Sequence, residues 1–306
     1  MGTAISSWRS KGLLGPRIRI LDREAPLGYL LLAPMLLLLV IFLAYPFLFG
    51  IWLSVTSAQI GDNGHFIALG NYAFERGDTV FIQSFINTMS YAAVTTVAKL
   101  GLGLVMALLL NQVFPAQRFV RAALLLPFII PSVLSTLAWR WMFDPTFSVV
   151  NWVSMNYLHL GGVNWLGTTN TALASMMIVN TWRGIPFYGI SFLAGLQTIP
   201  VELYEAARVD GATRFQQFRT ITLPMLRPIL AVVLLLSTIL TFGDFTLPYV
   251  LTNCAPYNST CVLSTWAFQI GVNGGYIGIG AAISLVLFPL LTVIVAGVLV
   301  GLRSEN

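Results

Sequence analysis

Charge is what this sequence has least of. Only 9% of its 306 residues are charged, and 57% are hydrophobic, whereas a soluble domain carries about 25% charged residues. So few charges cannot cover a water-exposed surface of this volume. That excludes a soluble globular fold and makes lipid the solvent for most of the chain. Lysine is scarcer still, with Lys11 and Lys99 alone. Neither follows a glycine, so the phosphate-cradling pattern G-x-x-x-x-G-K-[ST] is absent and the chain lacks this ATPase site. The two histidines, His65 and His159, fall in different polar connections and form no ligand or base spacing, so a membrane enzyme lacks support. There are two cysteines, Cys254 and Cys261, with a polar stretch between them. The net charge of +5 would suggest nucleic acid for a soluble chain. Here it informs membrane orientation, and no nucleic-acid partner is expected.

Long apolar runs are what the sequence does have. A helical span needs roughly 20 mostly apolar residues, and six stretches qualify, near 29–52, 85–112, 120–143, 171–195, 229–251 and 279–301. Backbone groups in lipid must bond within their own segment, so the expected fold is all-α: a polytopic membrane protein of six transmembrane helices. The first stretch is too long for a cleaved signal and no small-x-small site follows it. The expected organisation is a tail at 1–28, a six-helix transmembrane domain at 29–301 and a short tail at 302–306.

Basic residues set the orientation. Arg9, Lys11, Arg17, Arg19 and Arg23 precede the first stretch. Arg118 and Arg121 lie in the second connection, Arg208, Arg214, Arg219 and Arg227 in the fourth, and Arg303 at the end. With six spans these twelve share one side, against Arg76 alone on the other, which predicts both termini in the cytoplasm. The outer connections, about 53–84, 144–170 and 252–278, are rich in Trp, Asn, Gly and Thr. Trp152 and Trp165 are expected at the headgroup level. Cys254 and Cys261 then lie outside, as a short disulfide loop or as two free thiols.

The connection at 198–228 is long for a link between packed helices. Pro200 suits a first helical position, and Glu202 and Glu205 complement the positive end of a helix. Asp210-Gly211 supplies a stop with positive φ. Thr213 and Gln216 have capping-box spacing for a second short helix, on which Phe215 and Phe218 share a face. Such a helical pair either docks on a partner, with Tyr204 as an aromatic anchor, or lies on lipid headgroups.

One pattern chooses between these. Glu205-Ala206-Ala207, then Gly211, Ile221 and Leu223-Pro224 resembles the EAA motif of binding-protein-dependent ABC importer permeases. The longer run EAARVDGATRFQQFRTITLPMLRP resembles their carbohydrate branch, the maltose-type permeases. The similarity extends to Ala33-Pro34, Tyr45-Pro46, Leu69-Gly70-Asn71-Tyr72, Asn87-Thr88, Arg121 through Pro131, Trp139-Arg140-Trp141 and Asn151. It implies half of a pathway that imports a sugar or polyol by alternating access. It implies these partners: a second, homologous permease subunit, a dimer of ATP-binding subunits that carries the ATP and Mg, and an extracytoplasmic solute-binding protein. No cofactor is expected on this chain, and a bacterial inner membrane is its expected location. Tyr204, Glu205, Ala206, Ala207, Asp210 and Gly211 are the implied ATPase-coupling residues. The family's Thr-x-Gly-Gly-Pro turn reads Thr252-Asn253-Cys254-Ala255-Pro256 here, and a disulfide would stiffen it in place of the glycines.

Ionisable residues within spans are costly and functional by default. Arg140 lies near the outer end of the third stretch, where snorkelling accounts for it. Lys99 lies near the middle of the second, where a structural partner is expected but not identifiable. Arg183 is at mid-depth in the fourth, beside Gly184 and Pro186, and a broken helix with a cation and aromatics suits a polar path. Asp244, in the fifth, is placed to face Arg183. The expected path residues are therefore Asn180, Trp182, Arg183, Phe242, Asp244 and Tyr249. One cation, one carboxylate and several aromatics fit a neutral polyhydroxylated solute. The alternatives are a permease of the same family with a non-sugar cargo, or a stand-alone secondary transporter. The latter leaves the 198–228 loop unexplained.

Overall fold

The computed structural model describes residues 24–112, 114–159 and 161–303. The tail basic residues Arg9, Lys11, Arg17, Arg19 and Arg23 lie outside the described residues, as do the side chain of Arg303 and residues 304–306. Two compact units divide the chain at Gly50. Among the described residues there is no strand beyond two isolated bridges, Thr56 with Phe66 and Gln59 with Asp62.

The first unit is carried by α1 (Glu24–Leu39), a π-helical turn (Val40–Ala44) and the start of α2 (Tyr45–Ser54). Together they form an unbroken apolar helix over Gly28–Ser54. At about 1.5 Å per residue it spans a bilayer with length to spare.

The second unit is built on two long helices, α4 (Thr79–Leu110) and α8 (Thr169–Leu196), after the short α3 (Gly70–Gly77). They pack along their lengths, with Gly103 against Tyr188 and Gly189. Small residues let helices approach closely where lipid supplies no hydrophobic drive between them. At one end Met106, Leu110, Phe192, Leu196 and Leu226 are buried together. At the other, Tyr91, Phe143, Met176, Leu247 and Val262 form a second cluster.

The third stretch is not one straight span. It comprises α5 (Gln117–Ile129) and α6 (Ser132–Met142), bent by 94°. Pro131 lacks a donor and restricts the residue before it, and Ile130 is accordingly extended (φ −66°, ψ 131°). The fifth stretch also breaks. α11 (Leu223–Phe242) stops at Gly243, and the chain resumes helix only in α12 (Thr246–Leu251). The short α13 (Leu263–Phe268) leads to the last long helix, α14 (Ile277–Arg303). Among the described residues four helices are individually long and apolar enough to cross a membrane, and up to six spans result if α5 with α6, and α8 with the helix at Val201–Val209 (bent by 69°), each count as one.

Trp165 packs against Phe143, with ring centroids 5.2 Å apart, and its Nε1 donates to Asn151 Oδ1 at 2.8 Å. Asn151 also holds Val163 through both amide groups, so Trp165 belongs to a folded connection. Trp152, on α7 (Val149–Tyr157), is exposed. Arg140 is exposed too, and its Nη1 reaches Val250 O at 3.4 Å.

α3 lies in the connection between the first two spans. Asn71 Nδ2 donates to Ser54 O and Thr56 O, both at 2.8 Å. Glu75 is only 3% exposed and its Oε1 has no hydrogen-bond partner. Burial, and then the nearby charge of Asp78, pushes its carboxyl from 4.5 up to about 7. A carboxyl raised on folding favours its neutral form, so stability is highest below about pH 4.5 and declines as pH rises through 7. The thermal midpoint of the purified protein should therefore fall between pH 5 and pH 8, and Glu75→Gln should flatten that slope. Equal slopes in the two proteins would remove Glu75 as the cause.

Candidate functional site

Where α11 breaks, a cavity of about 330 Å³ opens between α4, α8, α11 and the α5–α6 bend. Its wall includes Lys99, Asn180, Arg183, Phe187, Thr241, Asp244 and Phe245. The break positions Asp244: its Oδ1 accepts from Leu247 N at 3.2 Å, in the first turn of α12. Non-helical backbone at membrane depth is tolerated where it lines such a cavity.

The charged groups are joined by an amide. Lys99 Nζ donates to Asn180 Oδ1 and Thr241 Oγ1, both at 2.9 Å. Asn180 Nδ2 then donates to Asp244 Oδ2 at 3.1 Å. The Tyr91 hydroxyl donates to the same oxygen at 3.0 Å. Lys99 crosses to α8 at Gly184, where a Cβ would collide with its Cδ. The partner of Lys99 that sequence alone did not identify is thus the Asn180–Thr241 pair. Among the described residues Arg183 makes no ion pair with Asp244 within 4.0 Å. The expected Arg183–Asp244 pair is replaced by the Lys99–Asn180–Asp244 relay, and Arg183 stands on the cavity wall.

At the end of the bundle that holds Leu110 and Leu196, the 198–228 connection forms α9 (Val201–Val209) and α10 (Arg214–Gln217), followed by a π-helical turn (Phe218–Thr222) that runs into α11. Gly211 separates α9 from α10 with φ +76°, a conformation that favours glycine. The capping box forms: Thr213 N donates to Gln216 Oε1 at 2.7 Å, and Gln216 N to Thr213 Oγ1 at 3.3 Å. Pro200 is the residue before α9 rather than its first.

Glu205, Ala206 and Asp210 are exposed, Ala207 is half-buried, and Glu205 Oε1 lies 3.9 Å from Arg208 Nη2. Tyr204 is not an outward anchor. Its ring packs on the buried cluster at this end, and its hydroxyl is 2.9 Å from Thr222 Oγ1. The apolar groups most exposed here are Val209 at 88% and Phe215 at 70%, with Val201 and Leu203 also exposed, while Phe218 is half-buried.

At the far end of α4, Cys254 and Cys261 are joined as a disulfide. Asn87 Nδ2 donates to Ser259 O at 2.7 Å and Cys261 O at 2.9 Å. Thr88 Oγ1 accepts from Leu263 N at 2.9 Å. The Asn87-Thr88 pair thereby fixes this loop to α4.

Residues 99–302 match the family described as the binding-protein-dependent transport system inner membrane component. The chain belongs to this family. This membrane transport component is 37% identical, over 270 residues, to the trehalose/maltose transport system permease protein MalF of Thermococcus litoralis, covering 88% of this chain and 91% of the relative. It is 35% identical to the sulfoquinovosyl glycerol transport system permease protein SmoG of Agrobacterium fabrum, covering 92% and 91%. Its fold matches a chain in the crystal structure of a bacterial ABC transporter involved in importing the acidic polysaccharide alginate. The TM-score is 0.81 at 25% identity, over 94% of this chain and 98% of that one.

Of the residues singled out for the path, Asn180, Arg183 and Asp244 line the transport component's cavity. Three do not. Trp182 packs edge-on against Trp139 at 5.4 Å, Phe242 is buried, and Tyr249 stacks on Phe245 at 4.9 Å. Wall residues not singled out from the sequence include Phe128, Ser132, Ser237, Leu240, Thr241 and Thr246. Ser237 and Thr241 stand one helical turn apart on α11, a polar i, i+4 pair in an apolar run, and that signal was available.

Proposed function

We propose that this chain forms half of the pathway for uptake of a sugar or polyol, moved by alternating access and powered by a separate ATPase subunit. The observation that carries the reading is the exposed helical pair at 201–217. It presents Glu205, Ala206, Asp210, Val209 and Phe215 at the end of the bundle while the chain lacks a phosphate-cradling loop of its own. The sequence bias of twelve basic residues against one supports a cytoplasmic position for the pair. The coupling residues are Glu205, Ala206, Ala207, Asp210 and Gly211, with Tyr204 holding the pair to the bundle. The assembly is completed by a second, homologous permease, two ATP-binding subunits that hold ATP and Mg, and an extracytoplasmic solute-binding protein.

Carbohydrate cargo is favoured by relatives whose names refer to trehalose, maltose and sulfoquinovosyl glycerol. The chemistry of the cavity agrees. Amide, hydroxyl, guanidinium and aromatic groups converge on one wall, as sites for polyhydroxylated ligands require. The test is co-purification with the partner subunits, then ATPase stimulation by binding protein loaded with trehalose, maltose, maltotriose, maltotetraose or sorbitol. Stimulation by at least one is expected, and stimulation by none would overturn the carbohydrate reading.

A further inference from the structure

A second polar cleft, of about 460 Å³, lies at the opposite end of the bundle from the 201–217 pair. It sits between the first turns of α4 and α8 and the disulfide-closed turn. Its polar lining includes Gln83, Asn87, Asn170, Tyr257, Asn258 and Ser259 beside two threonines, and no charged side chain lines it. Amides and hydroxyls without charge offer donors and acceptors together, which suits neutral hydroxyl groups better than ions.

The turn that forms one side is held rigidly. Asn87 binds two of its carbonyls, Ser259 Oγ donates to Pro256 O at 2.6 Å, and Thr260 Oγ1 donates to Ala255 O at 2.7 Å. On this frame Tyr257 and Asn258 both adopt left-handed backbone, with φ of 53° and 59°, which is disfavoured for a bulky residue. Folding gains nothing from the Tyr257 ring, which is 96% exposed. A strained residue displaying an aromatic face to solvent points to recognition rather than packing. Gln83 spends its Nε2 on Asn87 Oδ1 at 2.9 Å and keeps its carbonyl oxygen for a ligand. Asn170 is exposed on the facing helix.

The cleft and the central cavity are both lined by α4. Asn87 lines the cleft. Tyr91, one turn along the same face of α4, bonds to Asp244, and Lys99, about two turns further, is on the cavity wall. The distance from Asn87 to Lys99 along the helix is about 18 Å.

We propose that this cleft is a transit subsite for one sugar ring of the solute, stacked on Tyr257 and hydrogen-bonded by Asn170 and Gln83, between release from the binding protein and entry into the central cavity. The proposal rests on the carbohydrate reading above. Apolar sugar faces pack on aromatic rings while the hydroxyls meet amides.

The test uses the assembled transporter in lipid nanodiscs, with each sugar of the panel that stimulates the wild type. The double variant Tyr257→Ala/Asn170→Ala should lower maximal stimulated ATPase turnover at least about fivefold, since a transit step is slowed after docking. Its affinity for loaded binding protein should change less than about twofold, and Tyr257→Phe should retain wild-type turnover. The exposed positions make loss of folding a minor concern, and an unchanged thermal midpoint checks it. Unchanged turnover would overturn the subsite. So would a loss of docking affinity matching the loss of turnover, because Tyr257 would then be a protein contact. If no sugar stimulates the wild type, the carbohydrate reading falls first and takes the subsite with it.

Discussion

Gly211→Pro is expected to abolish uptake and solute-stimulated ATP hydrolysis while leaving the protein in the membrane. Gly211 has φ +76°, and proline is locked near −65°. Its N–H donates to Arg208 O at 3.1 Å, a bond proline cannot make. The substitution therefore changes the angle between α9 and α10 without touching the bundle, because a Cβ at Gly211 would meet nothing within 4 Å. Glu205→Lys is the complementary case. Among the described residues its only ion pair is with Arg208, and both partners are more than 60% exposed, so the lost pair itself matters little to stability. Reversing the charge on the docking face should still disable coupling. Losing about 2.8 kcal/mol of docking energy corresponds to about 100-fold in affinity, and activity should fall by at least that much in Gly211→Pro. Membrane content by immunoblot and uptake by reconstituted vesicles are the two readouts. Normal uptake by both variants would refute the coupling role.

The second large effect is expected at the cavity. Lys99→Met should leave the Asp244 carboxylate in a low-dielectric site without its relay to a cation. Because Asp244 is only half-buried and meets Lys99 through Asn180, the cost should fall below the roughly 3–5 kcal/mol of breaking a direct buried pair. Asp244→Asn should be similarly harmful, because Lys99 then loses its counter-charge. The double variant Lys99→Met/Asp244→Asn should recover most of the thermal midpoint, since neither charge remains unmatched. Arg183→Ala should leave stability nearly unchanged but lower uptake about tenfold or more, because Arg183 stands on the wall with no carboxylate within 4.0 Å among the described residues. Recovery of the midpoint in Asp244→Asn by Arg183→Ala, and not by Lys99→Met, would restore the direct pairing that sequence position suggested.

That correction shows where sequence reasoning ran out. The capping box of Thr213 and Gln216 and the positive φ of Gly211 were legible because they are local: spacing and residue type determine them. The all-α membrane class was legible because lipid imposes it on any chain so poor in charge. The partner of Lys99 was not, because it depends on how α4, α8 and α11 rotate about their axes. Lys99 and Asn180 are 81 residues apart, and Lys99 and Thr241 are 142 apart, so no spacing rule reaches them. The right-angled break at Pro131 was obscured for a different reason. A proline within an apolar run is compatible with a straight span when neighbours satisfy the freed carbonyls, and tertiary packing decides which outcome occurs. Tyr204 was misread as an outward anchor because its residue type suits both an interface and a core. Its hydroxyl found Thr222 on the next element, and the most exposed apolar groups proved to be Val209 and Phe215.

The central claim is that this chain provides a pathway driven through the 201–217 pair by a partner that hydrolyses ATP. Vesicles reconstituted with the complete assembly, loaded with ATP and given sugar-bound binding protein outside, test it most directly. Sugar should accumulate against its gradient, stop when ATP is replaced by a non-hydrolysable analogue, and be indifferent to a protonophore. Accumulation by this chain without the ATPase subunit, or accumulation abolished by the protonophore alone, would contradict the account and indicate an ion-coupled transporter.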